Sequence, residues 1–131
     1  RARVAGKGRV CVLAAPPQAT ARRLLGELIA IRTIGLSRPL PALPRLCAEW
    51  ATLRLAGQDP LDPRSRSRLR DRWEWEGAND PSYRAFFEFP GLLDLPVGDL
   101  PLPGADTGEP NLVGVLAGAI WTPMLDSEVA P

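Results

Sequence analysis

The fifteen prolines of this 131-residue chain, together with its twelve glycines, limit how far any regular element can run. They make up about a fifth of the residues, against roughly an eighth in an average protein. Because proline lacks a backbone N–H and fixes φ, it interrupts helices and central strands. Prolines alternate with other residues through 38–44, which must therefore be extended. Residues 90–110 contain five prolines and four glycines and are predicted to be a long irregular segment.

Between these interruptions the sequence predicts one or two strands and five helices. A short apolar run over 9–15, stopped by Pro16-Pro17, is typical of a strand buried on both faces. Residues 1–8 are predicted to be a loop. Proline, glycine and capping residues set the helix ends. The helices are expected over 18–34 with Gly35 as a left-handed cap, 45–56, 62–74 with Asp62 as cap, from Asp80 through Phe87, and 111–122, stopped by Pro123.

The amino-acid composition excludes most kinds of catalytic site. The chain has no histidine and a single lysine, Lys7, in a glycine-rich loop before the strand. It therefore cannot build a Ser-His-Asp site or supply imidazole ligands to a metal. Its acidic residues are scattered singly, and Cys11 and Cys47 are predicted to be reduced thiols in the core. We expect no catalytic residue, no metal and no cofactor, and no apolar run is long enough to span a membrane.

A cluster of alternating arginines is the sharpest charge feature. On a helix, three of its members share one face at four-residue spacing. Arginine suits phosphate recognition because its guanidinium forms two parallel hydrogen bonds. Three interpretations stay open: a solvated helix face, contact with an acidic protein, and contact with nucleic acid. Aromatic residues flank the cluster at Trp73, Trp75 and Tyr83, as base-stacking groups or as local core. The cluster consists of Arg64, Arg66, Arg68, Arg70 and Arg72.

Short motifs in a fixed order give the chain a resemblance to a known family. The first motifs are a helix containing residues 24–30 and, after it, a Pro-Leu-Pro turn over 39–41. A Trp-x-Gly motif over 75–77 and an Asn-Asp-Pro-Ser-Tyr-Arg motif over 79–84 follow. Near the end of the chain, Leu116-Ala117 leads to a Pro-Met-Leu motif over 123–125. Over about residues 9–125 this order resembles the C-terminal domain of RecC, the gamma subunit of exodeoxyribonuclease V (the RecBCD helicase–nuclease). The structural residues of these motifs are Pro39, Leu40, Pro41, Trp75, Gly77, Asp80, Pro81 and Tyr83.

The resemblance implies a restriction-endonuclease-like (PD-(D/E)XK) domain that has lost its catalytic residues. Active nucleases of that fold carry an acidic-x-Lys motif on a core strand, where carboxylates hold Mg²⁺. In this chain Ala14, Ala15 and Pro16 stand near that place, and the first acidic residue is Glu27. We therefore expect a helix-rich α+β fold, the C-terminal portion of such a domain. It would form a single unit over 1–125, incomplete at its N-terminal side, with a tail over 126–131.

The function that the resemblance implies is structural. The chain would be a non-catalytic scaffold and DNA-handling part of a RecC subunit, in bacterial DNA double-strand-break repair and recombination. It would carry no active site although it belongs to a nuclease complex. Its partners would be RecB- and RecD-like subunits and, through the complex, DNA, in the cytoplasm and away from membranes. The alternatives are an autonomous nucleic-acid-binding module that uses the helix from Arg64 to Arg72, and a small hydrolase with an unfamiliar carboxylate site.

Overall fold

A computed structural model describes residues 2–6 and 9–129. Two short strands precede the helices and one follows them, so the chain is helix-rich as predicted and compatible with the α+β class. The strands are β1 (Ala2–Gly6), β2 (Arg9–Leu13) and β3 (Glu128–Val129). The α-helices are α1 (Gln18–Gly35), α2 (Pro44–Leu55), α3 (Pro63–Glu76), α4 (Pro81–Arg84) and α5 (Leu112–Asp126), and a 3₁₀ turn covers Gly91–Asp94.

The strands form one antiparallel sheet in the order β1-β2-β3. Ala5 pairs with Val10 across the first ladder, and Val12 pairs with Val129 across the second. The predicted loop over 1–8 is therefore wrong from Ala2 to Gly6, because pairing with β2 gives those residues an extended backbone. Lys7 and Gly8 lie outside the described residues, as do residues 1, 130 and 131, so the predicted lysine loop falls there.

The strand predicted over 9–15 is confirmed from Arg9 to Leu13, but its predicted burial on both faces is wrong. Val12 is buried, whereas Cys11 and Leu13 on the opposite face are only half-buried. An antiparallel sheet commonly packs one face on the core and leaves the other accessible. The C-terminal segment joins the same sheet, since the Ala14 N–H donates to the Ser127 carbonyl at 2.7 Å beyond the strand pairs.

Local capping chemistry fixes several helix starts as predicted. The Asp62 carboxylate accepts from the Ser65 N–H at 2.9 Å, and the Asn111 side-chain oxygen accepts from the Gly114 N–H at 2.8 Å. Proline occupies the first position of α2, α3 and α4. At that position the missing N–H is one that would have no partner inside the helix.

Three predicted helix ends are wrong. Gly35 closes α1 without a left-handed turn, because Leu36 after it keeps a right-handed backbone with φ of −70°. The helix from Asp80 stops at Arg84, short of the phenylalanines assigned to it. Pro123 lies inside α5, which runs on to Asp126. A proline so close to the end removes only one hydrogen bond, and Leu125 beyond it packs against the core.

The core has two parts that meet at α5. In the larger part α2 lies between α3 and α5, so that Leu46 and Trp50 of α2 pack with Leu69 of α3 and Val113 of α5. In the smaller part Ile31 of α1 packs against the other side of α5, which includes Leu112, and against Leu102 of the irregular segment. The irregular segment thus contributes buried leucines, and α1 is attached to the domain along one narrow stripe.

Candidate interaction surface of the arginine helix

The arginine cluster lies on α3, whose inward face is formed by Ser65, Leu69 and Trp73. At 100° per residue, the row Arg64, Arg68, Arg72 runs along one flank of that buried stripe. Arg66 and Arg70 run along the opposite flank. The five arginines therefore form two separate rows, one facing α2 and one facing the segment after α4.

The row facing α2 is partly neutralised by the protein itself. Glu49 of α2 forms ion pairs with Arg68 (Nη1 to Oε1, 3.8 Å) and with Arg72 (Nη2 to Oε2, 3.6 Å). Both guanidinium groups are exposed, so these long ion pairs contribute little to stability. A groove of about 600 Å³ follows the row and is also lined by Asp71 and Glu74. Carboxylates thus stand among the arginines, and this flank offers no strong positive field to a phosphate.

The opposite row has no such acidic partners. The Arg70 guanidinium carbon lies 5.2 Å from the centre of the Phe89 ring, in a cation–π arrangement. Arg66 is half-buried. Within the described part of the chain neither residue forms an ion pair, and the same holds for the exposed Arg64 at the start of the helix. Arg64, Arg66 and Arg70 are therefore the members of the cluster that remain available to an anionic partner.

The three aromatic residues near the cluster have different roles. Trp73 is buried in the core, and Tyr83 packs against the same core at partial exposure. Burial, and then the negative charges of Glu76 and Asp80, raise the pKa of Tyr83 above its ordinary value. Trp75 is 74% exposed, with the Arg45 guanidinium carbon 5.9 Å from its ring centre. Of the three, only Trp75 presents an open ring face.

The Pro-Leu-Pro turn connects α1 to α2. Pro39 is exposed, and Leu40 packs against the cluster around Ile31. Pro41 is fully buried, and its carbonyl accepts from the Cys47 thiol at 3.4 Å. Burial, and to a lesser extent the charge of Glu76, raise the pKa of that thiol. Cys47 is thus a core thiol as predicted, whereas Cys11 is only half-buried, and neither forms a disulfide.

The remaining motif residues shape the turn after α3. A Cβ at Gly77 would collide with the ring of Trp73, so only glycine fits there. The Asp80 carboxylate then accepts from the Ser82 N–H at 2.8 Å, and Pro81 begins α4. The motif therefore turns the chain sharply beside the buried indole.

Glu76 is a structural anchor that sequence reasoning missed. Both of its carboxylate oxygens accept from the Arg45 N–H at 2.9 Å, and one accepts from the Leu46 N–H at 3.1 Å. These are the first N–H groups of α2, whose own cap position is Leu43 and supplies no side-chain bond. A helix that begins without a capping residue needs an acceptor from elsewhere, and that was the available signal.

Glu109 is a second missed anchor. Its carboxylate accepts from the Trp50 indole N–H at 3.2 Å and from the Arg54 guanidinium at 3.0 and 3.1 Å. A Cβ at Gly114 would meet this carboxylate and the Trp50 ring, so a side chain there would displace the Glu109 carboxylate from its contacts. The irregular segment is thereby tied to α2.

Neither anchor is part of a metal site. Among residues 2–6 and 9–129 no group of three or more histidine, cysteine, aspartate or glutamate residues is placed to hold an ion. In the same residues, none of the helices combines the length and the apolar character that crossing a bilayer requires.

Comparison with known proteins agrees with the motif order. A family model described as the RecC C-terminal domain matches residues 8–54. Two curated proteins, each called RecBCD enzyme subunit RecC, come from Mycobacterium tuberculosis strains CDC 1551 / Oshkosh and ATCC 25618 / H37Rv. Each is 30% identical to this chain over 119 residues, which cover 86% of the chain and 10% of the relative. The chain thus spans about a tenth of the length of these relatives. No solved structure matches it. The chain belongs to the RecC C-terminal domain family.

Proposed function

We propose that this chain is a non-catalytic scaffold and DNA-handling part of a RecC-type subunit. That subunit would belong to a RecBCD-type helicase–nuclease in DNA double-strand-break repair and recombination. The observation that carries the proposal is the 30% identity to two RecBCD enzyme subunits RecC across 86% of the chain. The partners are RecB- and RecD-like subunits, with DNA reached through the complex, in the bacterial cytoplasm.

The absence of catalysis is supported by the residues that follow β2. Ala14, Ala15 and Pro16 stand near the place where an active nuclease of the restriction-endonuclease-like fold carries its acidic-x-Lys motif, and none of these side chains supplies a carboxylate or an amine. The sequence has no acidic residue before Glu27, and that carboxylate is paired with Arg23 at 2.7 Å on α1. We accordingly propose that β1, β2 and α1 derive from a restriction-endonuclease-like domain that has lost its metal ligands.

Co-purification tests the scaffold role. The protein that carries this chain is tagged at its own locus and purified under low-salt conditions. The expected result is that RecB- and RecD-like subunits are recovered in equal amounts. Failure to recover either subunit, with the tagged protein folded and expressed, contradicts the proposal.

A nuclease assay tests the non-catalytic role. The purified chain is incubated with linear duplex and single-stranded DNA and with Mg²⁺ or Mn²⁺. No cleavage is expected. A reproducible cut that disappears when one particular acidic residue is replaced would show an active site and would support the hydrolase alternative.

The second candidate function, an autonomous nucleic-acid-binding module, has one observation in its favour. Arg66 and Arg70 have no acidic partner in the described part of the chain, unlike Arg68 and Arg72. Log affinity for single-stranded DNA falls with log salt concentration. If both arginines contact phosphates, the magnitude of this slope should be about 1.4 smaller for the double variant Arg66→Ala/Arg70→Ala than for the wild type. Arg68→Ala/Arg72→Ala is the matched control and should change the slope less. Equal slopes for wild type and the first variant remove this candidate.

A further inference from the structure

Helix α1 carries an apolar stripe that the domain does not cover. Its inward side is marked by Ile31, which is buried against α5. On the outward side Leu25 is 60%, Ile29 63% and Leu36 72% exposed. At 100° per residue these three side chains fall within a sector of about 40° on the helix surface. Leu25 and Ile29 are about one turn apart, and Leu36, the residue after α1, follows two turns later. We call these three residues the outer stripe.

The outer stripe continues into a groove. Leu28, itself exposed, lies between the outer stripe and the buried side of α1. It also lines a groove of about 710 Å³ between α1 and the end of α5, together with Leu24, Ala119, Ile120 and Met124. One residue of each charge, Arg23 and Asp126, also lines this groove. Contiguous apolar surface of this kind is unusual on a protein that acts alone and marks a site of association.

The charges beside the outer stripe are of one sign. Arg22 and Arg32 flank it on its two sides, and both are exposed. Neither forms an ion pair within the described part of the chain. The only carboxylate on α1, Glu27, lies on the other side of the helix and is already paired with Arg23. A complementary surface therefore needs an apolar centre with negative charge at its edges.

We propose that the outer stripe of α1 is the docking site for an amphipathic helix of a sister subunit, with carboxylates on both sides of its apolar row. The partner helix lies along Leu25, Ile29 and Leu36. It inserts one of its own side chains into the groove beside Leu28. Its acidic residues pair with Arg22 and Arg32. This inference rests on the proposed function, because it presumes a complex with sister subunits.

Two other occupants fit the surface less well. A second copy of α1 packed antiparallel would bring the two Arg32 side chains within about one helical turn of each other and would supply no carboxylate. A membrane-surface helix typically adds aromatic residues and several basic ones to its apolar face. The outer stripe has no aromatic residue, and only two arginines flank it.

Carbodiimide cross-linking tests the charge pairing. Carbodiimide joins a carboxylate to an amine and leaves guanidinium groups unmodified. Lys7 is the only lysine of this chain, so an Arg32→Lys substitution places a new reactive amine at the edge of the outer stripe. In the purified complex, the expected product is a cross-link from position 32 to an aspartate or glutamate on a helix of the RecB- or RecD-like subunit. The matched control, Arg84→Lys at the exposed end of α4, should give no such product.

Co-purification of apolar variants tests the outer stripe independently. Leu25→Gln/Ile29→Gln should lower recovery of the partner subunit by at least about tenfold, since two central contacts are lost. Leu55→Gln, at the exposed end of α2, is the control and should change recovery by less than about twofold. Thermal unfolding of each variant verifies that the fold is kept.

The outcomes separate this inference from the proposed function. Sister subunits that co-purify without a cross-link at position 32, and without loss on the glutamine substitutions, overturn the docking site and leave the scaffold role intact. A cross-link to another copy of the chain overturns it as well, as does binding to anionic vesicles that depends on Arg22 and Arg32. If no sister subunit co-purifies at all, the proposed function fails and this inference fails with it.

Discussion

Helices α1 and α2 are neighbours in sequence but have opposite relations to the rest of the protein. The longer helix, α1, has a single buried residue, Ile31. The shorter one, α2, has five. The difference lies in their surroundings, because α2 is enclosed by α3 and α5, whereas α1 touches α5 along one side. A helix rich in leucine and isoleucine is thus not by itself a core helix, and its uncovered row is available to another chain.

The hydrogen bonds that hold the two helices in place differ in the same way as their burial. The start of α2 is capped by Glu76 of α3, and Glu109 holds Trp50 and Arg54 further along the helix. In contrast, α1 begins after Pro17, which provides no side-chain cap. The protein therefore fixes α2 firmly in place and holds α1 by a few apolar contacts. Four measurements can break or sharpen this contrast.

The largest effect is expected from removing a leucine from each helix. Leu46→Ala on α2 empties a fully buried site and should lower the free energy of unfolding by about 2–5 kcal/mol. Leu25→Ala on α1 removes an exposed side chain and should change it by less than about 0.5 kcal/mol. Urea denaturation of both variants measures the difference. Equal losses would show that α1 is as tightly packed as α2.

The two thiols give the next largest contrast. Cys47 of α2 is buried and its pKa is raised, so little reactive thiolate is present at neutral pH. We expect iodoacetamide to modify it at least about 100-fold more slowly than the half-buried Cys11 of β2. Mass spectrometry of native samples follows the two rates, and denatured protein is the control, in which they should converge. Similar native rates would mean that α2 opens readily.

Removal of the Glu76 cap has an intermediate effect. Glu76→Ala leaves two N–H groups at the start of α2 without their acceptor and should cost about 1–2 kcal/mol of stability. Glu74→Ala, two residues earlier on exposed surface, is the matched control and should stay within about 0.5 kcal/mol. If the two variants unfold at the same denaturant concentration, the cap contributes nothing measurable.

The smallest effects concern ion pairs. Arg54→Ala breaks a two-bond contact with the half-buried Glu109 and should cost about 1 kcal/mol. Arg23→Ala breaks an exposed pair with Glu27 within α1 and should cost less than about 0.5 kcal/mol. Double-mutant cycles with each glutamate isolate the pair energies. A larger coupling on α1 than on α2 would reverse the contrast.

Features that depend on local sequence could be predicted. The predicted caps at Asp62 and Asp80 act on N–H groups three and two residues away, and the strand over 9–13 follows from one apolar run. The motif order identified the family for the same reason, since it needs only residue types and spacing. Proline at the first position of α3 and α4 gave further correct boundaries, whereas α2 begins at Pro44, one residue before its predicted start.

Features that depend on distant partners could not be predicted. Glu76 reaches N–H groups 31 and 30 positions away, and nothing in its own surroundings indicates this. Strand β1 consists mostly of small residues, and its pairing with β2 decides its conformation. Which arginines of α3 remain unpaired depends on Glu49 of the neighbouring helix. The cluster was found from sequence, but its division into two rows required the packing of α2 on α3.

The pairing of β2 with β3 has a consequence for how the chain reaches this structure. Val12 and Val129 stand almost the whole chain apart, so joining them closes a very large loop. For a loop of this length the entropy of closure alone is roughly 4 kcal/mol. Contacts so distant in sequence form after the local ones have reduced the space to be searched. The second ladder of the sheet is therefore completed late, and protection of the Ala14 N–H against exchange reports that the last strand has joined.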